Sequence, residues 1–211
     1  MEAALPALVV VVPLVAALLI ALLGGLWRGP ARLLAVLATA FSFAGALRLL
    51  WRTAHGETVV YSLGGWAAPT GIQYRVDLLN GIVLTMAAGV GFVVAVWMGR
   101  SVTRELRAGA RSAYYAIVLL YVAGILGITI TGDLFNLYVF LEIASITAYV
   151  IVGMGRRRKA LFAGFTYLVL GSIGATFILL GIGHLYMATG SLTMVDIAAR
   201  LPQAEAAHPS V

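Results

Sequence analysis

The chain contains no cysteine, which excludes disulfides, thiolate metal sites and thiol nucleophiles. Charge is scarce as well. Asp, Glu, Lys and Arg make up 10% of the 211 residues, where a soluble domain carries about 25%. The histidines His55, His184 and His208 stand far apart, so no metal-ligand cluster can be read from their spacing. The glycines are spread through apolar runs and form no phosphate loop or dinucleotide fingerprint. No catalytic triad is visible, no cofactor is called for, and redox chemistry has no seat here. What the chain has in excess is hydrophobicity: 62% of its residues and a mean hydropathy of +1.02. That composition predicts an all-α, multi-pass membrane protein with the lipid bilayer as its solvent. The net charge of +6 does not point to nucleic acid, because the basic residues lie between apolar runs, where membrane topology accounts for them.

A crossing needs about 20 apolar residues. Six runs qualify, at 5–26, 33–50, 78–98, 113–130, 134–154 and 161–187. The first lacks a basic leader and is too long for a signal-peptide core, so it reads as a retained helix. Only Thr131, Gly132 and Asp133 separate the fourth and fifth runs. Gly132 frees the backbone for a turn and Asp133 is a good helix cap. Arg28 and Arg32, then Arg100, Arg104, Arg107 and Arg111, then Arg156, Arg157, Arg158 and Lys159 fall in alternate connections. This places those connections in the cytoplasm and both termini outside. Arg48 and Arg52 break the trend, and their long stems are expected to snorkel to the outer headgroups.

The chain therefore divides into a three-helix segment, 1–112, with an outer loop at 53–77; helices four to six, 113–187; and a last part, 188–211. Within the outer loop, 59–61 and 72–76 are β-prone and flank Gly64, Gly65, Pro69 and Gly71, which predicts a small hairpin. Its role is contact with a partner subunit or, more simply, a structured cap. Thr193 and Asp196 predict a capping-box variant opening a short interfacial helix, followed by a frayed tail.

The residue that demands a reason is Glu142, inside the fifth run. An intramembrane carboxylate costs about 2.5–3.5 kcal/mol even on translocon-type scales, and its default reading is a proton or ion site. Nine residues past Asp133, it lies ~13.5 Å into the helix, near the middle of a ~30 Å hydrocarbon core. Tyr138, Ser145 and Tyr149 share its face, while Phe140, Ile143 and Val150 are offered to lipid or neighbours. Burial raises a carboxyl pKa and a nearby cation lowers it, so a movable cation would let such a group load and release protons. The plainer alternative is a protonated Glu making one interhelical hydrogen bond. Asp133 and Asn136 read as cap and turn formers or as a mouth for protons or Na⁺. His184 reads as a proton relay or as an interfacial residue bonded to a carbonyl. Gly164, Gly171, Gly174 and Gly181 form a small-residue face for close helix packing.

The wording Thr131-Gly-Asp-Leu-Phe-Asn-Leu-Tyr-Val-Phe-Leu-Glu142-Ile143, followed by Ala148-Tyr149, resembles the fifth helix of antiporter-like membrane subunits. This family comprises Mrp-type cation/proton antiporter subunits and proton-pumping subunits of respiratory complex I and membrane-bound hydrogenases. The Gly-Asp-Leu-Phe-Asn wording is most similar to the D-type subunits of Mrp antiporters. The stretches 64–79, 156–174 and 190–197 resemble the family's outer loop, its basic loop with a Gly-rich sixth helix, and the segment after it. The resemblance implies that Glu142 is the essential proton-carrying Glu. It also implies a Lys partner on a seventh helix, a second inverted repeat, partner membrane subunits, and H⁺ with Na⁺ as the transported ions. The present sequence carries no Lys within any span. The expectation is thus the N-terminal portion of such a subunit: a truncated product, a fragment or a split subunit. A redox-driven pumping subunit and a non-transporting scaffold remain the alternatives.

Overall fold

The computed structural model describes residues 4–24, 31–66, 71–155 and 158–207. Among the described residues, six helices are long and apolar enough to cross a membrane: α1 (Leu5–Leu23), α2 (Ala31–Ala54), α3 (Leu78–Glu105), α4 (Arg111–Ile130), α5 (Leu134–Gly153) and α6 (Arg158–Thr189). A two-stranded sheet, β1 (Val59–Ser62) and β2 (Gln73–Val76), stands between α2 and α3, and α7 (Met194–Ala207) follows α6. Helix α1 packs on α2 and α4, α2 on α3, and α3 on α4, closing a four-helix bundle. Helix α5 lies on α4, and α6 lies on α5.

The bundle is held by small residues and by repaired backbone. Pro13 sits inside α1 and has no N–H to give the carbonyl one turn back. In lipid such an orphan must find a donor within the protein. Ser42 of α2 supplies it, donating to the Val9 carbonyl at 2.8 Å. Beside this bond Gly45 gives α1 room, since a methyl there would come within 2.7 Å of Val9. Under the hairpin, Val9, Leu49, Val76, Leu84, Leu126 and Ile130 form one buried core. A second core at the opposite end gathers Ala17, Ala35, Ala95 and Leu119.

The helices run past the apolar windows. Arg100 and Arg104 belong to the end of α3 rather than to a loop, Arg111 opens α4, and Arg158 and Lys159 open α6. A long cationic side chain can climb to the headgroups while its backbone stays helical. Arg32 returns to α3, where its guanidinium covers Gly99 and donates to the Val96 carbonyl at 3.1 Å. Arg28, Pro69, Arg156, Arg157 and His208 lie outside the described residues. Arg52 does not snorkel alone. It makes a two-pronged pair with Glu57, its Nε donating to Oε2 at 2.8 Å and its Nη2 to Oε1. That pair holds the exposed Glu57 carboxyl below its usual range, chiefly through the Arg52 hydrogen bonds.

The expected hairpin is present and antiparallel, with Val59 opposite Val76 and Tyr61 opposite Tyr74. Gly64 and Gly65 both take positive φ after β1, which a side chain would resist. The ribbon does not stop at two strands. Tyr74 bridges to Thr131, and Asp133 bridges to Thr193. The Gly132 N–H donates to the Gln73 carbonyl at 2.8 Å, and the Met194 N–H to the Gly132 carbonyl at 2.9 Å. The hairpin, the α4–α5 turn and the lead into α7 thus lie edge to edge across one end of the helices. Asp196 does not complete a capping box. Its carboxylate accepts from the Ser191 hydroxyl at 3.3 Å and faces Arg200 at 3.7 Å.

Candidate functional site

The turn Thr131-Gly132-Asp133 sets where α5 begins. Asp133 caps the helix, its Oδ1 accepting from the Asn136 N–H at 2.8 Å. The Asn136 amide donates to the Thr131 hydroxyl at 2.9 Å, and its side chain is also hydrogen-bonded to the Tyr74 phenol. Thr131, Asp133 and Asn136 are all buried. Burial pushes the Tyr74 phenol above its ordinary pKa, and the bond to Asn136 partly offsets this. The structure therefore brings Asp133 and Asn136 together as a cap locked to the hairpin. Tyr74 and Thr193 join them through strand pairing that neither run of sequence announces.

Glu142 stands two and a half turns along α5 and is half-buried. One of its carboxyl oxygens, Oε1, is buried with no hydrogen-bond partner among the described residues. Tyr138 and Ser145 on the same face are half-buried. Tyr149 turns to α6, where its ring meets Tyr167 edge-on at 4.7 Å between centroids. Gly171 makes this possible, since a methyl there would overlap the Tyr149 phenol. Gly164 lets α6 close on the backbone of Gly153 and Tyr149. At Gly174 and Gly181 an added methyl would meet nothing within 4 Å. The small-residue face is thus two glycines packing on α5 and two facing away from any neighbour among the described residues.

On the other side of α5, Phe140 is buried against α4, in a notch that Gly124 and Gly127 leave open. Those two glycines carry no motif that would have singled them out. Ile143 packs at the edge of the core beneath the hairpin, and Val150 is exposed. His184 is exposed on α6, with Nδ1 2.8 Å from the Leu180 carbonyl of its own helix, and among the described residues no hydrogen bond ties it to α5. Among those residues, no group of three His, Cys, Asp or Glu is placed to hold a metal ion.

The sequence and the fold have counterparts among known proteins. The transmembrane family described as NADH:quinone oxidoreductase/Mrp antiporter matches residues 131–208. Subunit N of the NADH-quinone oxidoreductase of Desulforudis audaxviator is 41% identical over 208 residues, covering 96% of this chain and 40% of the relative. The D subunit of the Na⁺/H⁺ antiporter of Bacillus subtilis is 34% identical over 142 residues, covering 67% of this chain and 28% of the relative. A chain in the solved structure of the membrane-bound sulfane sulfur reductase, an archaeal respiratory membrane complex, superposes with a TM-score of 0.87 at 30% identity, over 94% of this chain and 40% of that one. The chain spans less than half the length of each. In sequence and in fold it matches the N-terminal portion of the antiporter-like membrane subunits common to Mrp antiporters and NADH:quinone oxidoreductases.

Proposed function

We propose that this chain forms part of a membrane subunit of a multisubunit monovalent cation/proton antiporter, with Glu142 as the group that carries the proton. The observation that supports this most is the Glu142 carboxyl itself, mid-helix in a spanning segment, with one buried oxygen that has no donor among the described residues. A carboxyl in a spanning segment is costly to keep, and that cost is the argument for a transport role. Tyr138 and Ser145 supply hydroxyls on the same face. In this reading 113–187 is the start of the proton-translocating repeat, and the basic end of the bundle faces the cytoplasm of a bacterial or archaeal cell. The hairpin and the N-terminus then face outward. Partners are other membrane subunits of the complex, and the ions are H⁺ and Na⁺. The capping of Asp133 favours a structural role for that residue over an ion mouth.

The test is Na⁺ uptake into inside-out vesicles holding the assembled complex, driven by an acid-inside proton gradient. Glu142→Gln abolishes it and Glu142→Asp weakens it. Full transport by the Gln variant would remove the carboxylate from the mechanism and leave a scaffold. A second reading, a proton-pumping subunit of a complex I-like oxidoreductase, is favoured by the 41% identity to a subunit N. Proton pumping on NADH addition, without Na⁺ exchange, would select it.

A further inference from the structure

We propose that the furrow between α3 and α4 binds one membrane phospholipid carrying a primary-amine headgroup. This does not depend on the role of Glu142. Two cavities lie in line along these helices. The first, about 490 Å³, is walled by Ala87, Val90 and Val94 of α3 and by Val118, Val122 and Ile125 of α4. The second, about 240 Å³, begins one turn further on, where Met98, Ser101 and Glu105 of α3 and Tyr114 of α4 face Ile151 and Met154 at the end of α5, so the furrow is walled by α5 as well at this end. Residues three and four apart share a helix face, so 87, 90, 94, 98, 101 and 105 trace a single stripe. That stripe is apolar until Met98 and polar after it. From Ala87 to Met98 is ~16.5 Å along the helix, the depth of one leaflet of a ~30 Å hydrocarbon core. Trp97 is 75% exposed at the change of polarity, where an amphipathic ring marks the headgroup level.

The polar end decides which lipid fits. Glu105 lines the second cavity; Arg104 precedes it in the last turn of α3, outside that lining, and both are exposed, so the long Arg104 side chain has to reach round the helix to the same headgroup. The ion pairs among the described residues are Arg52–Glu57 and Arg200–Asp196, so Glu105 has none. Among the described residues it is a carboxylate without an ion pair, at an end of the bundle otherwise rich in arginine. A phosphate bearing an ammonium group matches both charges, phosphate to Arg104 and ammonium to Glu105. A phosphate without the amine would meet the Glu105 carboxylate unpaired.

The full chain is purified in detergent from membranes containing phosphatidylethanolamine and phosphatidylglycerol, and retained lipid is identified by native mass spectrometry. One phosphatidylethanolamine per chain is expected, enriched about fivefold over its share of the membrane, the size of one partly exposed ion pair. Glu105→Gln brings that enrichment to parity, and Val90→Trp, which fills the apolar stretch, lowers retention of both lipids. Circular dichroism checks that each variant keeps its helices. If a variant does not fold, competition on the wild-type chain in nanodiscs decides. N-acetylated phosphatidylethanolamine keeps the phosphate and acyl chains but lacks the ammonium, and it fails to displace the unmodified lipid. Equal retention of both lipids by the wild type, unchanged preference in Glu105→Gln, or displacement by the acetylated lipid overturns the proposal.

Discussion

Helices α4 and α6 are both apolar enough to span a bilayer, yet the chain treats them differently. Ten of the 20 residues of α4 are buried, against four of the 32 in α6. Helix α4 touches α1, α2, α3 and α5, whereas α6 rests on α5 and α7. A helix hydrophobic all round belongs inside a bundle or against lipid, and composition does not distinguish the two. The lesson lies in the glycines. In α4 they are places where another chain segment already sits. In α6 half of the glycines on the small-residue face, Gly174 and Gly181, have no described residue within reach of an added methyl. The candidate carboxylate is on α5, the helix between these two environments.

The sharpest way to break this contrast is to add one methyl on each side of it. Gly127→Ala drives a carbon into the Phe140 ring and should destabilise the protein by about 1–3 kcal/mol, the usual cost of overpacking. Gly181→Ala meets nothing and should leave stability unchanged or raise it by up to about 1 kcal/mol through helix propensity. Unfolding in mixed micelles monitored by circular dichroism measures both. Equal losses would mean that α6 is as closely packed as α4.

Inside the covered bundle, Ser42→Ala strips the donor from the Val9 carbonyl opposite Pro13. A loss of about 1 kcal/mol is expected in the same assay. At the seam between bundle and α5, Tyr74→Phe removes the bond to Asn136 and should cost about 0.5–1 kcal/mol. This variant also carries a pH signature. Burial raises the Tyr74 pKa above 10.0, so its contribution is complete below that value and is lost as pH rises through the folded-state pKa. The wild type should lose stability in that alkaline range relative to the Phe variant. The smallest effect belongs to the exposed Arg52–Glu57 pair. The Glu57 pKa lies below 4.5, so its contribution is present above that pH and fades as pH falls through the folded-state value. Glu57→Gln should remove this acid-range dependence and change little else.

Much of the fold was legible in the chain, and for definite reasons. Runs of twenty apolar residues have few alternatives in a bilayer, Asp133 after Gly132 is a cap wherever it falls, and Glu142 is conspicuous because charge there is expensive. Helix ends were less legible. Arg100, Arg104, Arg158 and Lys159 look like loop residues until their long side chains are allowed to leave the apolar layer while the backbone does not. The link from Tyr74 to Asn136 was invisible, because it joins residues 62 apart through a strand bridge that has no sequence pattern of its own.

By itself, then, the sequence determined the membrane class, the six spans, the cap of α5 and the presence of one costly carboxylate, since each follows from local hydrophobicity or from residue type. Only the tertiary structure decided that Ser42 repairs the break at Pro13, that the hairpin grips the start of α5, and that Tyr149 turns to α6 while Phe140 turns to α4. Those outcomes depend on which helix lies beside which, and hydrophobic periodicity gives each helix an apolar surface without naming its neighbour.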